Sequence, residues 1–195
     1  AFCDVLVVGA GAAGIAAAQA AGRDGARVLL VEQGAQTGGM LLAEAADSAG
    51  EEWRRERLAE LATWPNVRVM TRTTAFGVYD GNVVGALERA WDHVAEPPSG
   101  QPRQRYWMIH AGHTVLATGA TERPLLFGNN DRPGVMLAHS ARTYVNHYGV
   151  LPGRRVVVCT NNDSAYAVAL DLRQAGATVT VVDARPQPPA GVADA

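Results

Sequence analysis

The stretch that decides the fold is Asp4-Val-Leu-Val-Val-Gly-Ala-Gly-Ala-Ala-Gly14, read together with Glu32. Residues 5–8 form a short apolar, β-branched run, which is typical of a buried parallel strand. The alanine-rich residues 12–22 predict a helix, and residues 28–31 predict a second buried strand. Strand, glycine turn, helix and strand within about 28 residues make a βαβ unit, the setting in which a G-x-G-x-x-G pattern is informative.

Each glycine of this pattern has a role in holding a dinucleotide. Gly9 permits a tight turn, Gly11 lets a pyrophosphate approach the backbone, and Gly14 lets the helix pack on the strand. The helix N-terminus adds free N–H groups and a partial positive charge. Glu32 ends the second strand, where an acid accepts hydrogen bonds from an adenosine ribose and disfavours a 2′-phosphate. The pattern therefore predicts NAD or FAD, with glycines that serve packing alone as the alternative.

Three glycine-bearing segments farther along the chain allow two interpretations each. Gln33-Gly34 and Thr37-Gly38-Gly39-Met40 follow the acid, and they either bring backbone close to the nucleotide or form a turn. Ala117-Thr118-Gly119 ends a predicted strand, where small residues suit a crevice beside a nucleotide but also occur at ordinary strand ends.

The rest of the chain predicts a meander and an internal repeat. We expect a helix over residues 44–62 and strands over residues 66–70, 74–79, 83–87, 106–110 and 114–117. Residues 155–159 repeat residues 4–8 at an offset of 151, and Glu32 then falls on Asp183. In this second copy the three glycines are replaced by Thr160, Asn162 and Ala165, and Asp163 stands where pyrophosphate would lie. We therefore expect the second copy not to bind a dinucleotide through pyrophosphate contacts.

Composition excludes several kinds of function. All 17 basic residues are arginine, so lysine-dependent Schiff-base chemistry, pyridoxal-phosphate attachment and the Walker-A loop are excluded. The net charge of −2 with no basic block predicts no nucleic-acid partner, and no apolar run reaches the roughly 18 residues of a membrane span. The five histidines predict no metal site, and no catalytic residue is identified. Cys3 and Cys159 are interpreted as buried small hydrophobes, and a cytoplasmic location is expected.

Several motifs in the second half carry a resemblance to a known family. They are Ala117-Thr-Gly-Ala-Thr-Glu-Arg-Pro124, Asn129-Asn-Asp-Arg-Pro-Gly-Val135, Arg142-Thr-Tyr144 and Thr160-Asn-Asn-Asp-Ser-Ala-Tyr166. With the two βαβ copies, these motifs resemble the alpha subunits of heterotetrameric sarcosine oxidases, within the flavoproteins that have two dinucleotide-binding domains. The resemblance runs from about Cys3 to Pro186.

The resemblance implies a glutathione-reductase-like α/β fold, a Rossmann-type FAD/NAD(P)-binding parallel sheet with an antiparallel meander and a second, incomplete Rossmann-like unit. Residues 1–125 would be the first dinucleotide-binding domain without its C-terminal return, residues 126–185 the start of the degenerate second unit, and residues 186–195 a tail. The implied cofactor of the first unit is NAD, and FAD is the alternative there. Relatives commonly carry a small hydroxyl residue at the position of Met40. The candidate cofactor-binding residues are Gly9, Gly11, Ala13, Gly14, Glu32, Gln33, Gly34, Met40, Ala75, Thr118 and Gly119.

The resemblance also implies a reaction and partners. In that family sarcosine is oxidatively demethylated to glycine, with hydrogen peroxide and 5,10-methylenetetrahydrofolate as products, and FAD and FMN are present in the complex of alpha, beta, gamma and delta subunits. The NAD is not the hydride acceptor, so we expect no oxidase activity from these 195 residues alone. Two alternatives remain: an FAD-binding subunit of a related opine or proline dehydrogenase or hydrogen cyanide synthase, and a non-catalytic, nucleotide-stabilised assembly scaffold.

Overall fold

The computed structural model describes residues 1–186, so the predicted tail, apart from Pro186, lies outside the described residues. The chain forms two compact units. The first consists of Ala1–Leu41 and Glu52–Gly119, and the second consists of Leu42–Glu51 and the residues from Ala120 onward. A short segment between two elements of the first unit therefore belongs to the second.

The first unit is built on the predicted βαβ motif. Its elements are β1 (Phe2–Val8), α1 (Ala12–Arg23) and β2 (Val28–Val31). A third strand, β3 (Val67–Met70), continues the sheet, so that β3, β2 and β1 lie side by side and parallel. The predicted positions of these elements are confirmed to within a few residues.

The predicted helix over residues 44–62 is shorter than expected. A 3-10 helix covers Gly39–Ala43, and α2 covers Ala49–Ala62. The Ser48 hydroxyl accepts the N–H of Glu51 at 3.1 Å, an arrangement that satisfies a free donor at the start of α2. Glu44 is used in an ion pair with Arg142 instead of a helical turn. The expected start at residue 44 was therefore wrong.

The meander consists of β4 (Thr73–Tyr79), β5 (Val83–Glu88) and β6 (Arg105–Leu116). We expected two strands in the span of β6, and the structure shows one. Its first half pairs antiparallel with β5, and its second half pairs parallel with β1. Gly112 makes this continuity possible, because a Cβ there would lie 2.8 Å from the carbonyl oxygen of Asp4. The meander and the parallel strands thus form one six-stranded sheet, in the order β3-β2-β1-β6-β5-β4.

Apolar side chains cover both faces of the parallel strands. Leu6 and Val7 of β1 are both fully buried but point to opposite faces, because side chains alternate along a strand. One face packs against α1 and α2, and the other packs against the meander. The first cluster is centred on Val7, Ile15, Ala18, Leu30 and Leu61, and the second on Leu6, Val31, Met70, Val84 and Ile109.

The second unit contains the repeat. Its elements are α3 (Ala138–Asn146), which the sequence did not predict, β7 (Arg155–Thr160), α4 (Ser164–Gln174) and β8 (Thr178–Asp183). Val5 pairs with Val28 in the first copy, and Val156 pairs with Val179 in the second, so the two copies share one strand register at the predicted offset. Gly25 and Gly176 both have positive φ, at 84° and 98°. The internal repeat is confirmed.

The two cysteines differ in their surroundings. Cys3 is buried, and this burial raises the pKa of its thiol. Cys159 is exposed, because it lies on the outward face of β7 with Val157. The interpretation as a buried hydrophobe was right for Cys3 and wrong for Cys159.

Two further findings concern metal binding and membrane crossing. Among residues 1–186, no three His, Cys, Asp or Glu side chains are grouped so that they could hold a metal ion. In the same part of the chain, no helix has both the length and the hydropathy that crossing a bilayer requires.

Candidate nucleotide-binding site

Two glycines of the segment Gly9–Gly14, called the glycine turn below, are required by the packing of the chain itself. Gly9 has a φ of +98°, and a Cβ there would overlap the carbonyl oxygen of Ala117. A Cβ on Gly14 would overlap the carbonyl oxygen of Gly9. These glycines let β1, β6 and α1 approach one another, whether or not a ligand binds.

Gly11 is different, because the packing of the chain does not require a glycine there. A Cβ on Gly11 would meet only the Cα of Gly39, at 3.9 Å, which is ordinary van der Waals contact. Gly11 is also the N-cap of α1, so no side chain caps the helix, and the first turn contains no acidic residue. A helix start with open space and uncapped N–H groups is suited to an anionic ligand. The glycine turn therefore fits a pyrophosphate beside Gly11.

The carboxylate of Glu32 is held beside this space by two backbone N–H groups. Its Oε2 accepts the N–H of Ala10 at 2.9 Å, and its Oε1 accepts the N–H of Gly34 at 2.8 Å. An ionised carboxylate offers about four acceptor positions, so capacity remains for the hydroxyl groups of a ribose. A Cβ on Gly34 would lie 3.3 Å from Oε1, so glycine keeps this approach unhindered.

The segment Glu32–Gly34, called the acidic turn below, is also held by backbone hydrogen bonds to residues farther along the chain. The N–H of Glu32 donates to Met70 O at 2.9 Å, and Thr73 N–H donates to Glu32 O at 2.8 Å. Arg72, with a φ of +52°, donates its N–H to Gly34 O at 2.7 Å. The N–H of Arg89 in turn donates to Arg72 O at 2.9 Å.

The Arg89 side chain reaches the same turn, where its Nη2 donates to Gln33 O at 2.6 Å. Sequence reasoning missed Ala10, Arg72 and Arg89. No local pattern could have revealed Arg89, which lies 56 residues from Gln33 along the chain.

The Gly38–Gly39 pair packs against the glycine turn. Gly38 bridges to Gly11 and donates its N–H to Ala10 O at 2.7 Å. Gly39 has a φ of +54°, and a Cβ there would lie 2.9 Å from the Cα of Gly11. Met40 follows in the 3-10 helix and is 58% exposed. The pair therefore borders the space beside Gly11 and is also needed for contact within the protein.

The remaining predicted residues lie at several places around the turn. Thr118 and Gly119 follow the end of β6 and are exposed, and Ala117 N–H donates to Val8 O at 2.8 Å beside Gly9. Ala13 is exposed in the first turn of α1. Ala75 is half-buried in β4, where it packs against the meander-side core.

In the second unit, an arginine of the chain bonds the two acids that correspond to Glu32 and Ala12 of the first unit. The Arg185 guanidinium makes two parallel hydrogen bonds to Asp183, at 3.0 and 2.6 Å, and it also contacts Asp163 at 2.6 Å. These hydrogen bonds hold the pKa of Asp183 well below its usual range. Asn162 Oδ1 accepts the N–H of Ser164 at 3.0 Å and satisfies a donor at the start of α4. The expectation that this turn binds no pyrophosphate stays a prediction, and this geometry supports it.

Comparison with known proteins places this geometry in a family. The family model described as pyridine nucleotide-disulphide oxidoreductase matches residues 3–194. The chain belongs to this family. The pyridine nucleotide-disulphide oxidoreductase family accounts for the mixed parallel and antiparallel sheet, and the predicted fold class is confirmed. Family membership and the glycine turn together support the binding of a dinucleotide, FAD or NAD.

Two relatives show which kinds of oxidase subunit the chain is similar to. The chain is 54% identical over 190 residues to the sarcosine oxidase alpha subunit of Rhizobium meliloti (strain 1021), across 95% of this chain and 19% of that protein. It is 31% identical to an opine oxidase subunit of Agrobacterium tumefaciens (strain Ach5), across 96% of this chain and 38% of that protein. The resemblance to sarcosine oxidase alpha subunits is confirmed. The chain spans about a fifth of the length of the first relative.

Among solved structures, L-proline dehydrogenase from P. horikoshii is similar over 94% of this chain and 36% of that chain. Its TM-score is 0.76 and its sequence identity is 27%. The glycine turn and the acidic turn therefore lie in a fold that this chain shares with L-proline dehydrogenase.

Proposed function

We propose that this chain is the NAD-binding part of a sarcosine oxidase alpha subunit. The observation that carries the proposal is the site formed by Gly11 and Glu32, within a chain that is 54% identical to such a subunit. Open space beside Gly11 accepts a pyrophosphate, and the fixed Glu32 carboxylate accepts ribose hydroxyls. A carboxylate at this position disfavours a 2′-phosphate, which supports NAD over NADP.

The residues of the site bind and orient the nucleotide. N–H groups at the start of α1, including that of Ala13, bind the pyrophosphate. Gln33, Gly34 and Met40 border the adenosine. Thr118 and Gly119 line the carboxyl end of β6 beside the glycine turn, and Ala75 supports the site from the meander. NAD bound here would serve as a tightly held structural group and not as the hydride acceptor.

The complete assembly would carry out the chemistry. In this proposal sarcosine is oxidatively demethylated to glycine, with hydrogen peroxide and 5,10-methylenetetrahydrofolate as products. FAD and FMN belong to the assembled complex with beta, gamma and delta subunits, in the cytoplasm. The 195 residues alone are expected to show no sarcosine turnover, and measurable turnover by them would contradict the proposal.

The second candidate is an FAD-binding subunit of a related amine dehydrogenase or oxidase. The likeness to the opine oxidase subunit and to proline dehydrogenase favours it. Both candidates use the same glycine turn, so the geometry of the turn does not separate them.

The test is to identify the nucleotide that the intact protein releases when it is denatured. Chromatography and absorbance distinguish NAD from the yellow FAD, after the FAD of any partner subunit has been assigned by separating the subunits. NAD from the subunit that carries this chain supports the first candidate, and FAD from the same subunit supports the second. Peroxide formation from sarcosine, dependent on the partner subunits, then tests the substrate.

A further inference from the structure

One peptide group of the acidic turn is held at both ends. The N–H of the Gln33–Gly34 peptide donates to Glu32 Oε1 at 2.8 Å, and the carbonyl of the same peptide accepts from Arg89 Nη2 at 2.6 Å. A peptide group is planar, so an interaction that fixes its carbonyl also fixes the direction of its N–H. The side chain of Arg89 therefore helps to fix the direction of this N–H.

From this geometry we infer that Arg89 is a positioning residue for the carboxylate that receives the adenosine ribose. The inference rests on the proposed dinucleotide site. Arg89 acts on Glu32 through the Gln33–Gly34 peptide and does not touch the nucleotide. Its interaction is charge-assisted, and such hydrogen bonds are roughly twice as strong as neutral ones.

The surrounding contacts leave the peptide dependent on Arg89. Neighbouring backbone groups are held independently, since Glu32 bonds to Met70 and Thr73, and Gly34 O accepts from Arg72. The Gln33 carbonyl accepts from the Arg89 guanidinium. Without it, the peptide gains freedom to turn its N–H away from Oε1. The carboxylate would then keep the hydrogen bond from Ala10 N–H but lose the one from Gly34 N–H.

The test compares ADP with 2′-deoxy-ADP, because NAD and FAD share the adenosine diphosphate group. The intact protein is stripped of nucleotide, and both affinities are measured by calorimetry. In the unsubstituted protein we expect ADP to bind about tenfold more tightly than 2′-deoxy-ADP, because a site built to bond a hydroxyl penalises its absence. In Arg89→Met we expect this ratio to fall to about twofold, with the affinity for 2′-deoxy-ADP almost unchanged.

Two further variants keep the test specific. Arg89→Lys retains a donor and should restore most of the ratio. Arg103→Met is the matched control, since Arg103 also donates to backbone carbonyls of an exposed loop, those of Val94 and Ala95 at 3.2 and 3.0 Å. The control should keep the full ratio.

The outcomes distinguish the positioning role of Arg89 from the nucleotide site itself. Equal loss of both affinities in Arg89→Met, or an unchanged ratio, would overturn the positioning role while leaving the nucleotide site intact. Failure of the unsubstituted protein to bind ADP, or to prefer it over 2′-deoxy-ADP, would overturn both the positioning role and the site on which it rests.

Discussion

At the scale of single residues, the three glycines of the glycine turn are not equivalent. Gly9 and Gly14 are required because the chain packs onto itself at these points, whereas a Cβ on Gly11 would make only ordinary contact with Gly39. The sequence motif predicts all three without assigning them different roles. The structure separates the two glycines that the packing of the chain requires from Gly11, which it does not require.

This difference predicts different outcomes for two alanine substitutions. Gly11→Ala should change the free energy of unfolding by less than about 0.5 kcal/mol, because its Cβ makes only ordinary van der Waals contact with Gly39, but should weaken nucleotide binding at least about tenfold. Gly14→Ala should lower the free energy of unfolding by about 3 kcal/mol, since its Cβ overlaps the Gly9 carbonyl. Denaturant titration and calorimetry measure both. Full nucleotide affinity in a folded Gly11→Ala protein would contradict the assignment of the pyrophosphate.

A second residue-scale prediction concerns acid stability. Hydrogen bonds from Arg27 lower the pKa of Asp4 to about 2. This folded-state pKa lies below the unfolded value of about 3.9, so the stabilisation is present above about pH 4 and is lost as the pH falls through about 2. Asp4→Asn should therefore make stability less dependent on pH between 4 and 2.5, as measured by urea unfolding at several pH values.

The partner variant tests the cause of this pH dependence. Arg27→Gln keeps the backbone N–H that Asp4 Oδ2 accepts at 2.8 Å, so it should produce a smaller change in the same direction. An unchanged pH dependence in both variants would show that this pair does not contribute.

At the scale of elements, the segment Leu42–Glu51 is attached to the helices of the second unit. Arg142 of α3 bonds Glu44 at 3.0 Å and Asp171 of α4 at 2.6 Å, and its side chain is only 15% exposed. Asn146 donates to Ala43 O at 2.9 Å and to Asp171 at 2.7 Å. Ala43 and Glu44, which lie before the start of α2, are therefore bonded to α3.

Removing the positive charge of Arg142 should loosen the segment Leu42–Glu51. Arg142→Met leaves two partly buried carboxylates without the cation that pairs them, which should cost about 3 kcal/mol of local stability. Hydrogen exchange should therefore accelerate in residues 42–51 and in α3. Arg154→Met, at an exposed arginine of the same unit, should leave the exchange rates unchanged. Equal exchange in the two variants would show that the network does not hold the segment.

At the scale of the whole molecule, the two copies of the βαβ unit differ at the turn between their first strand and their helix. In the first, the space at the start of α1 is open, and Glu32 faces it from the end of β2. In the second, Arg185 joins Asp163 at the start of α4 to Asp183 at the end of β8. In the second copy, the acid at the end of the second strand is therefore paired with an arginine of the chain itself.

This difference predicts one dinucleotide for each chain. Equilibrium dialysis of the nucleotide-free intact protein against labelled ADP should saturate at one site, and Gly11→Ala should remove that site. A second site of similar affinity, retained in Gly11→Ala, would contradict the interpretation of the second copy.

Nucleotide binding, fold class and the internal repeat could be predicted from the sequence because their signals are local. Helix and strand periodicity and the glycine spacing in residues 4–32 act over a few residues, and the repeat copies them at a fixed offset. The two strands predicted in the span of β6 were wrong for a related reason. The predicted strands end at residue 110 and resume at residue 114, and only the pairing with β1 shows that the strand continues through this gap.

The sequence by itself determined the β1-α1-β2 unit, the acid at the end of β2 and the loss of the glycines in the second copy. Only the tertiary structure decided which glycines the packing requires, how Arg89 and Arg72 hold the acidic turn, and that Arg185 joins Asp163 to Asp183. The physical reason is separation along the chain. Arg89 meets Gln33 across 56 residues and Arg142 meets Glu44 across 98, and contacts of this kind exist only after folding has closed the intervening loops.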